Sequence, residues 1–283
     1  MARQGSPKRT RLGLPYKRRE MLFLTGAAAA ASTAKGAPEQ AAQARPAVAT
    51  DSRLVRLAAR PAPMVIDTAK TALIVVDMQN DFGAKGGMFD LAGIDITMIQ
   101  AAVGPTAKAL ASARESGMKI VYLKMGFRPD LSDLSRSDRG RAGQSKMGFG
   151  KRVTVPGGGE GRIMIRDTWN TDILPALKPQ PQDTVIYKHR FSGFYQTDLD
   201  TVLRQSGIKY LVFTGCTTSV CVESTLRDAM FRDYDCVVLA DCTAEPIGHG
   251  LPRTNHEASL LLIETRFGWV SGSAEFLGRV PTT

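Results

Sequence analysis

Histidine is nearly absent from this chain, with three in 283 residues. His189, His249 and His256 make no pair at metal-ligand spacing, so neither a metal nor a cofactor is expected. Cysteine is scarce as well. Cys216, Cys221, Cys236 and Cys242 all fall in the last third, which is no disulfide framework. No apolar stretch reaches membrane-spanning length. The best candidate, Met21 to Leu24 with the alanines up to Ala31, is about half of the ~20 residues a span requires, and no membrane anchor is expected. The body of the chain also lacks an excess of positive charge. Of the formal +10, the segment up to Ala62 holds 12 Lys and Arg against 3 Asp and Glu, while Pro63 to Thr283 holds 25 against 24. A nucleic-acid partner would demand basic charge on the folded body, so that class is excluded. What remains is ordinary: 43% hydrophobic and 23% charged residues, enough apolar material for a sizeable core.

The segment 1–62 is rich in Ala, Arg, Pro and Gly, and no folded element is expected there, because so little of it could offset the entropy of ordering. It does contain Arg18-Arg19-Glu20-Met21-Leu22, a short apolar run and, downstream, Ala42-Gln43-Ala44. Twin arginine, apolar region and small-x-small site in that order resemble a twin-arginine export signal. A periplasmic destination is the expectation. A solvated basic extension on a cytoplasmic enzyme, or a gene start assigned too early, is the alternative reading.

From Met64 the pattern becomes strands alternating with helices. Ala72-Leu73-Ile74-Val75-Val76 is continuously apolar and ends at Asp77, as a strand buried on both faces reads. A helix is expected over Ile94 to Ser116, closed by Gly117, and a strand over Lys119 to Leu123. A long Gly-rich stretch, Met125 to Arg166, follows and bends at Gly157-Gly158-Gly159. A loop of that length within a domain is generally functional. Further strands are expected at Thr184–Tyr187, Tyr210–Thr214, Cys236–Ala240 and Gly268–Ser271, with helices at Asp198–Gln205, Ser219–Arg232 and Arg253–Thr265. This alternation predicts one α/β domain over 63–283, a parallel sheet covered by helices on both faces.

Sites on such sheets lie at the carboxyl ends of the strands. Three polar features fall there: Asp77, Lys188, and the loop Gly215-Cys216-Thr217-Thr218-Ser219-Val220-Cys221. Cys221 is placed in the first turn of the next helix, where the dipole favours a thiolate. A nearby ammonium would lower the thiol's pKa further, and a carboxylate could carry its proton. The loop's backbone amides could hold an oxyanion. Each residue also has a bland reading. Asp77 could cap a turn, Lys188 could be a surface lysine and Cys221 an inert core thiol. Their joint position at strand ends favours a nucleophilic site.

The segments Val75-Val76-Asp77-Met78-Gln79-Asn80-Asp81-Phe82, Lys188, and Gly215-Cys216-Thr217-Thr218-Ser219-Val220-Cys221-Val222 resemble the signatures of the isochorismatase-like cysteine hydrolases. Within that superfamily, Asp90-Leu91-Ala92-Gly93, Ser192-Gly193-Phe194-Tyr195-Gln196-Thr197-Asp198 and Phe267-Gly268-Trp269-Val270-Ser271 look most like the ureidoacrylate amidohydrolases. The resemblance runs from Lys70 to Leu277 and implies a three-layer α/β fold with a six-stranded parallel sheet. It implies Cys221 as nucleophile, Asp77 as general acid/base and Lys188 as the supporting cation. It also implies a cis Cys216–Thr217 peptide, an oxyanion hole from the Thr217 and Cys221 amides, and a homo-oligomer. Gln79, Phe82, Arg128 and Phe194 are expected to line the pocket for a small-molecule substrate.

The pattern departs from those amidohydrolases after the second strand. In place of Asn-Gly-Trp stands Met125-Gly126-Phe127-Arg128-Pro129-Asp130-Leu131, which, with Gly161-Arg162-Ile163-Met164, looks more like biuret hydrolases. Arg128 could bind a substrate carboxylate or pair with Asp130. The expected activity is hydrolysis of a C–N bond in a ureido or carbamoyl amide through a Cys thioester, with biuret or another small amide as the alternative. Vinyl-ether hydrolysis, as in isochorismatases, is disfavoured because those enzymes lack the nucleophilic Cys. A non-catalytic interaction module is disfavoured by the presence of Asp77, Lys188 and Cys221 together.

Overall fold

A computed structural model describes residues 53–142 and 148–278, all within one unit, Ala49–Thr283. The twin-arginine segment, with its candidate cleavage site, lies outside the described residues. In chain order the elements are β1 (Leu54–Leu57), β2 (Met64–Asp67), β3 (Thr71–Val76), α1 (Asn80–Gly83), α2 (Met88–Leu91), α3 (Thr97–Glu115), β4 (Lys119–Met125), α4 (Arg136–Ala142), β5 (Arg152–Thr154) and β6 (Glu160–Arg162). Then come β7 (Thr184–Lys188), α5 (Leu199–Gln205), β8 (Tyr210–Cys216), α6 (Glu223–Met230), β9 (Asp235–Ala244), α7 (Asn255–Leu262), β10 (Trp269–Ser271) and α8 (Ser273–Leu277). Among the described residues no helix is long and apolar enough to cross a membrane.

Six strands form one sheet in the order β10-β9-β8-β3-β4-β7, and every neighbouring pair is parallel. The continuous apolar runs of β3 and β4 are explained by their central place. Along β3, Leu73 and Val75 point into one core, while Ala72, Ile74 and Val76 point into the other. The period-two alternation is intact, and both faces are dry. The first core is closed by α3 and α8 through Ile99, Ala109 and Phe276. The second is closed by α5 and α6 through Leu199, Leu203 and Leu226.

The folded unit starts earlier than the expected boundary at Pro63. Leu54-Val55-Arg56-Leu57 forms β1, antiparallel to β2, and buries Val55 and Leu57. Arg60 exchanges both backbone hydrogen bonds with Val270 of the edge strand, at 2.8 and 3.0 Å. Two inward residues in an alternating tetrapeptide are too weak a signal against an Arg- and Ala-rich background, yet they suffice once β2 and the sheet edge supply partners. The long stretch after β4 is not structureless either. It holds α4 and the β5–β6 hairpin, whose antiparallel pairing is closed by Gly157, Gly158 and Gly159 at φ of 88°, 87° and 104°.

Candidate active site

The centre of the site is a buried ion pair. Lys188 Nζ lies 2.7 Å from Asp77 Oδ2, with both side chains at 0% exposure. Asp77 follows β3 and Lys188 ends β7; β4 lies between the two strands. Asp77 adopts φ 51°, a left-handed conformation that costs a non-glycine residue free energy. Its backbone is held at both ends. The N–H donates to Leu123 O at 2.9 Å, and the carbonyl accepts the Gln79 N–H at 2.8 Å. The Cys216 thiol donates to the same carbonyl at 3.1 Å. Lys188 Nζ also donates to the Arg190 carbonyl at 3.3 Å and approaches Met125 Sδ at 3.6 Å.

Cys221 sits in a single π turn, Thr218–Val222, that leads into α6. Such turns interrupt helices chiefly at functional sites. Its thiol lies close enough to Asp77 and Lys188 for both charges to act on its titration. The second carboxylate oxygen, Asp77 Oδ1, is buried with no regular hydrogen-bond partner among the described residues. The structure thus brings Asp77, Lys188 and Cys221 together at the carboxyl end of the sheet. The Cys216–Thr217 peptide is cis, and the Thr217 N–H has no backbone acceptor among the described residues. Gly215 precedes this loop at φ 112°. A Cβ there would stand 2.0 Å from the Val76 carbonyl oxygen, so no other residue lets β8 lie this close to β3.

Burial pushes the Asp77 carboxyl above its ordinary value, and the Lys188 ammonium only partly opposes it. For Lys188, burial acts to lower the pKa, but Asp77 and then Cys221 outweigh it and the ammonium is held above the usual lysine value. The Cys221 thiol is pushed up, not down: burial dominates, with Lys188 opposing and Asp77 adding to it. This corrects the expectation of a lowered thiol pKa, since the helix end and the ammonium act on a residue that is only 6% exposed. The resting group is the thiol. Passing its proton to Asp77 creates no new net charge, because Lys188 faces the carboxylate before transfer and the thiolate after it.

The expected pocket residues fare differently. Gln79 is fully buried. Its amide nitrogen donates to Met125 O at 2.9 Å and Thr171 O at 3.1 Å, and its oxygen accepts the Met125 N–H at 2.7 Å. It clamps the end of β4 and has no donor left for a substrate. Phe82 is a core residue, edge-on to Phe89 at 5.1 Å. Phe194 packs near Tyr234 at 6.1 Å and under the Arg232 guanidinium at 4.8 Å. Gln79 and Phe82 are spent on the scaffold, as apolar or amide residues inside a motif readily are, and Phe194 is buried in the same core as Cys221. Arg128 is exposed. It lines a cavity of about 350 Å³ with Ser132, Asp133, Leu134, His189, Arg190 and Gln196. Its alternative partner Asp130 accepts the Ser132 N–H at 3.0 Å and forms no ion pair with it. The cavity is linked to the site through Arg190, whose carbonyl accepts from Lys188 Nζ, and none of Asp77, Lys188 and Cys221 lines it.

Among the described residues no group of three or more His, Cys, Asp or Glu could hold a metal. His189 pairs with Gln196 at 3.2 Å. His256 meets the Thr218 hydroxyl at 2.9 Å, beside the nucleophile turn. Two residues near the site escaped the sequence reading. Cys216 supports the Asp77 carbonyl, and Glu245 is a fully buried acid directly after β9. The signal for Glu245 is the one that singled out Asp77, an acid ending a strand. It was hidden because β9 runs to Ala244, beyond the expected end at Ala240, through a register shift against β8 between Phe213 and Gly215.

This geometry can be set beside known proteins. The family model described as the isochorismatase domain matches residues 71–275. The chain belongs to the isochorismatase family. It is an enzyme of the hydrolase class. The chain is 42% identical over 222 residues to the ureidoacrylate amidohydrolase RutB of Methylorubrum extorquens, covering 78% of this chain and 87% of that one. The protein of the same name from Caulobacter segnis is 39% identical over 224 residues, covering 79% and 91%. Among solved structures, a cysteine hydrolase from Pseudomonas syringae pv. phaseolicola aligns with a TM-score of 0.63 and 30% identity, covering 76% of this chain and 94% of that chain. N-carbamoylsarcosine amidase from Thermoplasma acidophilum aligns with a TM-score of 0.54 and 27% identity, covering 72% and 96%. The six-stranded parallel sheet of this family member is the architecture expected from the sequence.

Proposed function

We propose that this enzyme is an amidohydrolase that cleaves the C–N bond of a ureido acid of the ureidoacrylate type through a thioester on Cys221. The observation that carries this reading is the buried Lys188–Asp77 pair at 2.7 Å with the Cys221 thiol beside both charges. Asp77 takes the thiol proton and the thiolate attacks the ureido carbonyl. The developing oxyanion is received by the backbone N–H groups of Thr217 and Cys221. Asp77, now protonated, gives its proton to the departing substituted nitrogen, so the amine leaves and a carbamoyl thioester remains. A water then loses a proton to Asp77 and adds to the thioester carbonyl. Carbamate departs, and the Cys221 thiolate recovers the proton.

The names of the relatives support a ureido or carbamoyl substrate. Exposed Arg128, at a cavity beside Lys188, supports a carboxylate on the substituent and so favours ureidoacrylate over uncharged biuret. The test is a comparison of kcat/KM for ureidoacrylate, N-carbamoyl amino acids and biuret, with Arg128→Gln alongside the native protein. The reading expects ureidoacrylate to be preferred and Arg128→Gln to raise its KM about tenfold. Preference for biuret, untouched by Arg128→Gln, would assign the alternative substrate. A homo-oligomer is part of the same reading and is measured by light scattering.

A further inference from the structure

Glu245 is fully buried, and among the described residues its hydrogen bonds are to backbone or hydroxyl donors. Oε2 accepts both the N–H of Ser219, at 3.1 Å, and its hydroxyl, while Oε1 accepts the Ile247 N–H at 3.1 Å. None of these donors is a cation. A carboxylate is costly to bury in this way, and removing its partners costs more still. Two of the three bonds are aimed at one residue, Ser219, in the turn that presents Cys221. From α7, His256 meets the hydroxyl of the preceding residue, Thr218, at 2.9 Å. The turn is therefore gripped from outside at two successive residues, 218 and 219, while its inner side faces Asp77 and Lys188.

Helix starts leave their first N–H groups without intrahelical partners. In this turn the N–H groups of Val220 and Val222 both reach the Thr217 carbonyl, at 3.2 Å each, and the Ser219 N–H is taken by Glu245. None of these three donors is one of the two amides, of Thr217 and Cys221, proposed for the substrate carbonyl. We infer that Glu245 is a positioning residue for the nucleophile: its carboxylate, through Ser219, fixes the turn that sets the Cys221 sulfur against Asp77 and aims the loop's amides. This rests on the proposed nucleophilic role of Cys221 but not on the identity of the substrate.

The experiment uses the full chain and two readouts, turnover of ureidoacrylate and the rate at which iodoacetamide alkylates Cys221, located by peptide mass spectrometry. Glu245→Gln keeps the shape and one acceptor but removes the charge. It is expected to lower kcat about 30-fold with KM changed less than about twofold, and to slow Cys221 alkylation at least about fivefold. A folded Glu245→Gln protein with native kcat and native alkylation overturns the inference, as does an effect confined to KM. Should Glu245→Gln fail to fold, Ser219→Ala keeps the N–H and loses only the hydroxyl bond. A fall in kcat of about threefold at constant KM then supports the inference, and an unchanged kcat contradicts it. If the native protein does not turn over ureidoacrylate, the substrate assignment fails, and alkylation alone still decides the role of Glu245.

Discussion

Replacing Lys188 by Met keeps most of the side chain's length and removes its charge from a fully buried position. At 2.7 Å and an effective dielectric of about 20, the attraction between Lys188 and Asp77 is about 6 kcal/mol. Part of this offsets the desolvation of the two ions, so removing one partner costs about 3–5 kcal/mol. The orphaned Asp77 carboxyl would respond by holding its proton to higher pH. A protonated Asp77 cannot take the thiol proton, and no cation remains to face the thiolate. Losing at least about 3 kcal/mol of transition-state stabilisation lowers kcat/KM at neutral pH by at least about 100-fold. The pH dependence of stability gives an independent check. A carboxyl whose folded pKa lies above its unfolded value binds more protons in the native state, so its stabilisation is complete below the unfolded pKa and is lost as pH rises through the folded one. Asp77 is already raised by burial with Lys188 opposing, and losing that opposition moves it further. Melting temperatures of native and Lys188→Met proteins between pH 5 and pH 8 should therefore diverge, with the variant losing more as pH rises. A variant within tenfold of native activity, with a parallel melting profile, would refute the electrostatic account of the pair.

Three further outcomes are expected. Burial raises the Asp81 carboxyl to about 6, against hydrogen bonds from the Asn170 side chain and the Met164 and Met88 N–H groups. Its contribution to stability should therefore fall by up to about 3 kcal/mol as pH rises from about 4 through 6, and urea unfolding of Asp81→Asn should show a flatter pH dependence than native. Gly215→Ala must fit a Cβ 2.0 Å from the Val76 oxygen at φ 112°; a destabilisation of about 3 kcal/mol or more is expected by thermal melting, and a native melting temperature would contradict the close approach of β8 to β3. For the export signal proposed at Arg18-Arg19, Arg18→Lys with Arg19→Lys should leave the full-length protein in the cytoplasm, as cell fractionation would report; a native distribution would assign the segment to a plain basic tail.

The centre of the fold was legible because its strands are buried on both faces. β3, β4 and β8 are short apolar runs with little polar interruption, and Asp77 and Lys188 stand where such runs end. Cys221 was found from the strand-loop-helix pattern, together with the resemblance carried by Gly215 to Val222. The short strands outside the six-stranded sheet were not legible. β1 is only four residues long, and β5 and β6 are three each, too short to show a pattern until a partner strand lies against them. The same limit governs individual roles. Gln79 belongs to a recognisable motif, but its amide bonds Met125 and Thr171, 46 and 92 residues away, and nothing local to Gln79 announces them. Phe82 and Phe194 are subject to the same rule: an aromatic ring at a motif position is core or pocket according to what folds over it. The direction of the Cys221 shift was missed because sequence shows the helix start and the lysine but not the depth of burial.

The central claim is that Cys221 forms a carbamoyl thioester with the substrate's ureido carbon. Native protein mixed with ureidoacrylate, quenched in acid within its first turnovers and digested, should give a Cys221 peptide heavier by one carbamoyl group, with Cys216, Cys236 and Cys242 unmodified. Cys221→Ala, folded and inactive, should give none. Full turnover by Cys221→Ala, or a carbamoyl group on another residue in the native protein, would contradict the account.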